Sequence, residues 1–177
     1  MDDEPMIRIG ILSDTHYPDK TSHLPDLIFE RFQEKNVNFI LHAGDLTAPD
    51  VKEALESVAP VVAVRGNLDQ PVFPEEKIVE VGTLKIGVLH GHQFLSLDTQ
   101  TLKYKALDMG VDILVFGHTH RFFYDVYEFM GKKIVLLNPG SPTVPRRSDP
   151  TFVIAEVKDR KFHFEVFKPW KTQWKYP

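Results

Sequence analysis

Apolar residues along the chain fall into short runs, and the period of each run names an element. "MIRIGILSD" (6–14) is almost continuously apolar until it ends in serine and aspartate, the pattern of a buried strand feeding a loop. Leu24, Leu27, Ile28 and Phe32 then recur at helical spacing within "SHLPDLIFERFQEKN". "VNFILHAGD" predicts a second strand, "PDVKEALESV" a helix with proline near its start, and "PVVAVRGN" a third strand. This β-α-β-α-β order predicts a parallel sheet with helices packed on it.

The second half has a different texture. "KIVEVGTLKIGVLHGH" predicts a hairpin turning at Gly82-Thr83, and "TQTLKYKALDMG" a short helix closed by Gly110. "VDILVFGHTH" is a strand. Two more hairpins follow, one turning near Gly131 and one at Lys158-Asp159-Arg160. Antiparallel pairing is expected to dominate here. Two sheets packed face to face with helices outside satisfy both halves. No linker, repeat or low-complexity stretch interrupts the chain, so residues 1–177 read as one domain.

Composition narrows the class. At 42% hydrophobic and 26% charged residues, the chain is expected to be a soluble globular protein. Its net charge of -4 argues against coating nucleic acid, which needs an excess of Lys and Arg, but leaves a small nucleotide substrate open. There is no cysteine, which excludes disulfides, thiolate zinc sites and thiol catalysis. The N-terminal apolar run is too short for a signal peptide or a membrane span, so a cytoplasmic location is expected.

The polar residues that interrupt this pattern sit at the C-terminal ends of the apolar strands. Asp14 and His16 end the first, Asp45 the second and Asn67 the third. His90 and His92 end "IGVLHGH", and His118 and His120 end "DILVFGHTH". Ligands of open α/β sheets bind outside these strand ends. Residues two apart share a face in extended chain, so Asp14/His16 and His118/His120 can each aim two side chains into one cleft. Carboxylates and imidazoles crowded in a cleft are costly unless a cation joins them. Seven such ligands exceed one tetrahedral site and suit two metals sharing a carboxylate.

The motifs "SDTH", "HAGD", "RGN", "LHGH" and "FGHTH", in that order, resemble the signature of the calcineurin-like metallophosphoesterases. The likeness runs from about Met6 to Ser141, with "LNPGS" as a further element, and is nearest to small YfcE-type phosphodiesterases. The same segments also resemble the phosphoesterase-like subunit of the retromer coat. The resemblance implies an α/β/β/α sandwich of two mixed sheets and a centre of two divalent transition metals. Mn, Ni, Fe and Zn all suit the mixed oxygen and nitrogen donors, with Mn favoured. By motif, Asp14, His16, Asp45 and His120 would hold one metal, and Asp45, Asn67, His90 and His118 the other. The implied activity is phosphodiester hydrolysis by a hydroxide bridging the two metals. Asn67 would also donate its amide to the phosphate.

The chain departs from the family pattern twice. Leu68 in "GNLD" stands where a histidine often protonates the leaving group, so His92 becomes the nearest catalytic acid and Asp69 a weaker one. Ala48 replaces an aspartate in "GDLTA", with Asp50 a substitute partner. The rival expectation is an interaction scaffold on the same fold with little turnover, and a metal-binding regulatory module is a third. His42 is weighed as either a supporting or a satisfied core residue, and His23 and His163 as structural or exposed. The loop holding Arg146 and Arg147 is expected to be solvated. The partner expected is a small phosphodiester or nucleotide, with no membrane. The Trp170, Trp174 and Tyr176 tail is expected to pack or to dock a partner, which leaves a homo-oligomer open.

Overall fold

A computed structural model describes residues 4–21 and 23–169 of the chain, so the aromatic tail at 170–177 lies outside the described residues. The first sheet runs in the order β10 (Lys161–Phe167), β9 (Phe152–Lys158), β1 (Ile7–Leu12), β2 (Phe39–His42), β3 (Val61–Ala63). The second runs β4 (Glu76–Val81), β5 (Leu84–Leu89), β6 (Ile113–Val115), β8 (Lys132–Pro139), β7 (Phe122–Phe129). Ile9, Ile11, Leu41, Ile86, Val88 and Leu137 interdigitate between the two sheets. Helices α1 (Asp26–Glu34) and α2 (Pro49–Glu56) bury Ile28, Phe32, Val51 and Leu55 on the outer face of the first sheet. Helix α3 (Thr99–Met109) buries Leu102 and Ala106 on the second. The result is the expected four-layer α/β/β/α sandwich of mixed sheets.

Each element follows from its local sequence. Pro49 opens α2, where a missing N–H costs nothing. Asp98 caps α3 by accepting the Thr101 N–H at 2.7 Å, and Gly110 ends it in a left-handed conformation. Asp159 and Arg160 both have positive φ, as a two-residue hairpin turn between β9 and β10 requires.

One expectation needs correction and another needs refinement. α1 starts only at Asp26, because Pro25 holds Leu24 in extended chain; Leu24 still packs against the same core from outside the helix. The second sheet keeps the expected antiparallel hairpins and adds a short parallel centre. The hairpins β4–β5 and β7–β8 exist, but β5, β6 and β8 run parallel between them. Both sheets thus contain a parallel core, and this sets the site. The C-terminal ends of β1, β2 and β3 and those of β5 and β6 reach the same edge of the sandwich. Among the described residues, no helix is long and apolar enough to cross a membrane.

Candidate metal centre

The loops leaving β1 and β2 are laced together by main-chain bonds. Asp14 N–H donates to Gly44 O at 2.9 Å, and His16 N–H to Asp45 O at 3.0 Å. A second set of bonds crosses between sheets. His118 N–H donates to Asp14 Oδ2 at 3.0 Å, and the Ser141 hydroxyl donates to Asp14 O at 2.8 Å. Asp14 is therefore one of the points where the loops of the two sheets are tied together.

Ligand-capable atoms of Asp14, His16, Asp45 and His120 all lie within 4.8 Å of one another, and all four residues are buried. His90 joins them, with Nε2 3.3 Å from Asp45 Oδ2 and 3.7 Å from Asp14 Oδ1. His118 follows, its Nδ1 3.3 Å from Nε2 of His90. Asn67 is exposed at the mouth and makes no side-chain hydrogen bond among the described residues. Its neighbour Leu68 donates its N–H to Asp45 Oδ1 at 2.9 Å, which holds this loop against the cluster. The ring of His92 sits 5.5 Å from that of His90, and its buried Nδ1 has no partner. The eight predicted site residues therefore share one end of the sandwich, with Asn67 and His92 at its margin.

The hydrogen bonds settle the tautomers. Carbonyl and carboxylate oxygens only accept, so a ring nitrogen facing one must be the donor. Nδ1–H of His90 donates to Ala43 O at 2.8 Å, and that of His120 to Val144 O at 2.7 Å. Nδ1–H of His16 donates to the Asp19 carboxylate at 3.3 Å. In the neutral rings Nε2 is left as a lone pair. The Nε2 atoms of His16 and His120 face each other at 3.1 Å, acceptor against acceptor. Asp14 Oδ2 takes two donors, from Ser13 and His118, while the fully buried Oδ1 has none. Burial alone would raise the Asp14 pKa. The His120 and His16 rings beside it outweigh burial and hold the carboxyl far below its usual range. The rings lower the Asp14 pKa by the positive charge or the N–H they bring to it, so the cluster holds a positive charge in its interior, carried by a ring proton or by a bound cation. A divalent metal suits this donor set, whose outward N–H groups are already fixed.

Backbone geometry shows the cost of this convergence. Asp14, His16, Asp45, His118 and His120 all have φ between 47° and 72°, the left-handed region that such residues seldom adopt. Close approach adds two glycines. A Cβ on Gly66 would stand 2.1 Å from Asp45 Oδ1, and one on Gly117 would stand 2.1 Å from Ser13 Oγ. Only glycine allows those loops to touch the site.

Several supporting residues differ from expectation. Asp50 is exposed in the first turn of α2 and makes no side-chain hydrogen bond among the described residues. The support comes instead from Asp69, whose Oδ2 accepts the N–H groups of Asp45 (2.7 Å) and Gly66 (2.8 Å). Asp69 thus positions the loop. Burial, larger than the effect of those two donors, raises its pKa. Asp19 is the partner of His16 and also accepts from Thr47. Its only sequence signal is its place three residues after His16. Asn138 of "LNPGS" braces the His118–His120 loop through Gly117 O and Thr119 Oγ1.

His42 is a satisfied core residue. Its Nδ1 accepts the Gly44 N–H, and its Nε2 bonds Thr15 Oγ1, so it ties together the loops of Asp45 and Asp14. Burial is the main cause that pushes its pKa down to about 3, from an ordinary 6.5. As the pH falls below 6.5 the unfolded chain takes this proton first, so the His42 contribution is present above 6.5 and drains toward pH 3. The slope reaches about 1.4 kcal/mol per pH unit. Melting curves in chelator between pH 7 and 4 are expected to fall more steeply for the wild type than for His42→Gln. Parallel curves would remove His42 as the cause.

Known proteins match this arrangement. The family model for the calcineurin-like phosphoesterase superfamily domain covers residues 7–160. A probable metallophosphoesterase of Methanothermobacter thermautotrophicus is 42% identical over 163 residues, 90% of this chain and 91% of that protein. Vacuolar protein sorting 29 from Cryptosporidium parvum superposes with a TM-score of 0.76 at 27% identity, covering 92% of this chain and 97% of that one. A structure described as a novel archaeal phosphodiesterase superposes at 0.68 with 26% identity, covering 91% and 100%. Motif order, fold and the buried Asp and His cluster agree, and the chain belongs to the calcineurin-like phosphoesterase superfamily.

Proposed function

We propose that this chain is a phosphodiesterase with two divalent metals. The observation that carries the reading is Asp14 Oδ1, buried and without a donor, among the Nε2 atoms of His16, His90 and His120. Asp14, His16, Asp45 and His120 hold one metal, and Asp45, Asn67, His90 and His118 the second, with Asp45 shared. Bound divalent metals supply Lewis-acid polarisation of the phosphoryl group and lower the pKa of water. The protein's part is to hold its donors rigid. Asp19 and the carbonyls of Ala43 and Val144 fix the rings, and Asp69 fixes the loop that carries Asn67. The exposed amide of Asn67 is placed to donate to a phosphoryl oxygen at the mouth.

His92 is the proposed proton donor to the leaving group, since Leu68 cannot serve and is 47% exposed. A proton donor matters most when the leaving alkoxide is basic. His92→Ala is therefore expected to slow an alkyl phosphodiester by about 10²-fold and an aryl one far less. Equal losses on both would exclude this role.

The second reading, a protein-binding scaffold, draws on the likeness to vacuolar protein sorting 29 and on Leu68. A screen of bis(4-nitrophenyl) phosphate with Mn²⁺, Ni²⁺ or Zn²⁺ separates the two. Metal-dependent release of nitrophenol supports the enzyme. Inertness under all three metals favours the scaffold.

A further inference from the structure

The chain has seven arginines, and their partners divide them sharply. Arg8, Arg31, Arg65 and Arg160 each lie within ion-pair distance of a carboxylate. Arg121, Arg146 and Arg147 have no ion pair among the described residues, and they lie on the two segments that meet at His120. Arg121 follows it in sequence. Arg146 donates its main-chain N–H to His120 O at 3.0 Å, while Val144 O accepts His120 Nδ1–H at 2.7 Å. The Arg146–Arg147 segment is thus clamped to a buried histidine of the metal cluster at two points. The carboxylate nearest in sequence, Asp149, is 3.1 Å from Lys168 and so is engaged elsewhere. Both arginine side chains are exposed.

Exposed guanidinium groups with no ion pair among the described residues, on a segment bonded to His120, have a natural ligand. Guanidinium forks match phosphate oxygens in a bidentate way. The reacting phosphate is assigned to the metals and Asn67, so these forks serve another anion. We infer that Arg146 and Arg147 select substrates carrying a second phosphate beside the scissile diester, of mononucleotide or dinucleotide size. The inference rests on the phosphoesterase reading for the place of the reacting phosphate. A short anion suits the site better than a polymer, because the basic patch is local and the chain carries a net charge of -4.

The test is equilibrium binding by calorimetry to Mn²⁺-loaded protein, comparing thymidine 3′,5′-bisphosphate with thymidine 5′-monophosphate. The wild type is expected to prefer the bisphosphate by about tenfold, less at high salt, where exposed charges are screened. Arg146→Ala with Arg147→Ala is expected to bring the ratio to about one. The corresponding Lys pair should restore part of it, since charge is kept and the fork is lost. Arg160→Ala, on the hairpin turn between β9 and β10, should keep the wild-type ratio. A wild-type ratio of one, no binding of either nucleotide, or an unchanged ratio in the alanine pair overturns the inference. Arginine-dependent preference with no diester hydrolysis would instead overturn the enzyme reading alone. Hydrolysis of aryl diesters with a ratio of one would do the reverse.

Discussion

Asp45→Asn is expected to reduce metal-dependent phosphodiester hydrolysis by about 10³-fold or more, the scale lost when charge stabilisation is taken from a reacting phosphoryl group. The carboxylate stands between both halves of the cluster, with Oδ2 3.5 Å from His16 Nε2 and 3.3 Å from His90 Nε2. Its Oδ1 accepts the Leu68 N–H. Burial would raise its pKa, but the His90 ring opposes this and leaves it lowered, so the group enters the site as an anion. An asparagine keeps the shape and removes the charge. It also aims an NH₂ either at imidazole nitrogens or at the Leu68 N–H, where a donor meets a donor. Elemental analysis should find less metal in the variant than in the wild type, while circular dichroism stays the same. A variant that kept more than a tenth of the wild-type rate would show that Asp45 is not shared between the metals.

Removing metal should have the second large effect. Chelation is expected to abolish hydrolysis and to lower Tm, with both restored by Mn²⁺. A site at 100 times its Kd stabilises the fold by about 2.7 kcal/mol. For a chain of this length that is roughly 5–10 °C, and about double for two sites. The physical origin is the cluster itself. Asp14 Oδ1 has no donor, and neutral His16 and His120 would set two Nε2 lone pairs against each other at 3.1 Å. Scanning calorimetry in chelator and then in graded Mn²⁺ reads the shift. A Tm that ignores Mn²⁺ would show that the cluster binds no metal tightly.

Much of this centre was legible before any coordinates. A strand that ends in "SDTH" or "FGHTH" announces polar groups where a parallel sheet leaves its cleft, and hydrophobic period located nearly every element. What stayed hidden depends on contacts between distant segments. Nothing local to residue 144 says that its carbonyl will orient His120, since any residue carries a carbonyl. Asp69 reads as a candidate acid in sequence because the bond that defines its role, from the Asp45 N–H, comes from 24 residues away. Asp50 resembled a partner because it is near Asp45 in sequence, yet α2 carries it to solvent. The parallel run of β5, β6 and β8 was masked because hairpins are short-range and dominate the local pattern. The three arginines without an ion pair among the described residues differ from the other four only in tertiary setting, which no local pattern records.

The unusual φ angles at Asp14, His16, Asp45, His118 and His120 bear on how such a protein can change over evolutionary time. Each angle stores strain of order 1 kcal/mol that is useful only while a ligand is being aimed. Exchange of one of these histidines for glycine or asparagine gives up the chemistry and relaxes the chain at once. Substitution of this kind at any one of these five positions is therefore expected to relieve local strain even as it removes a donor, so the backbone here is kept by what the side chains hold and not by the stability of the loops themselves.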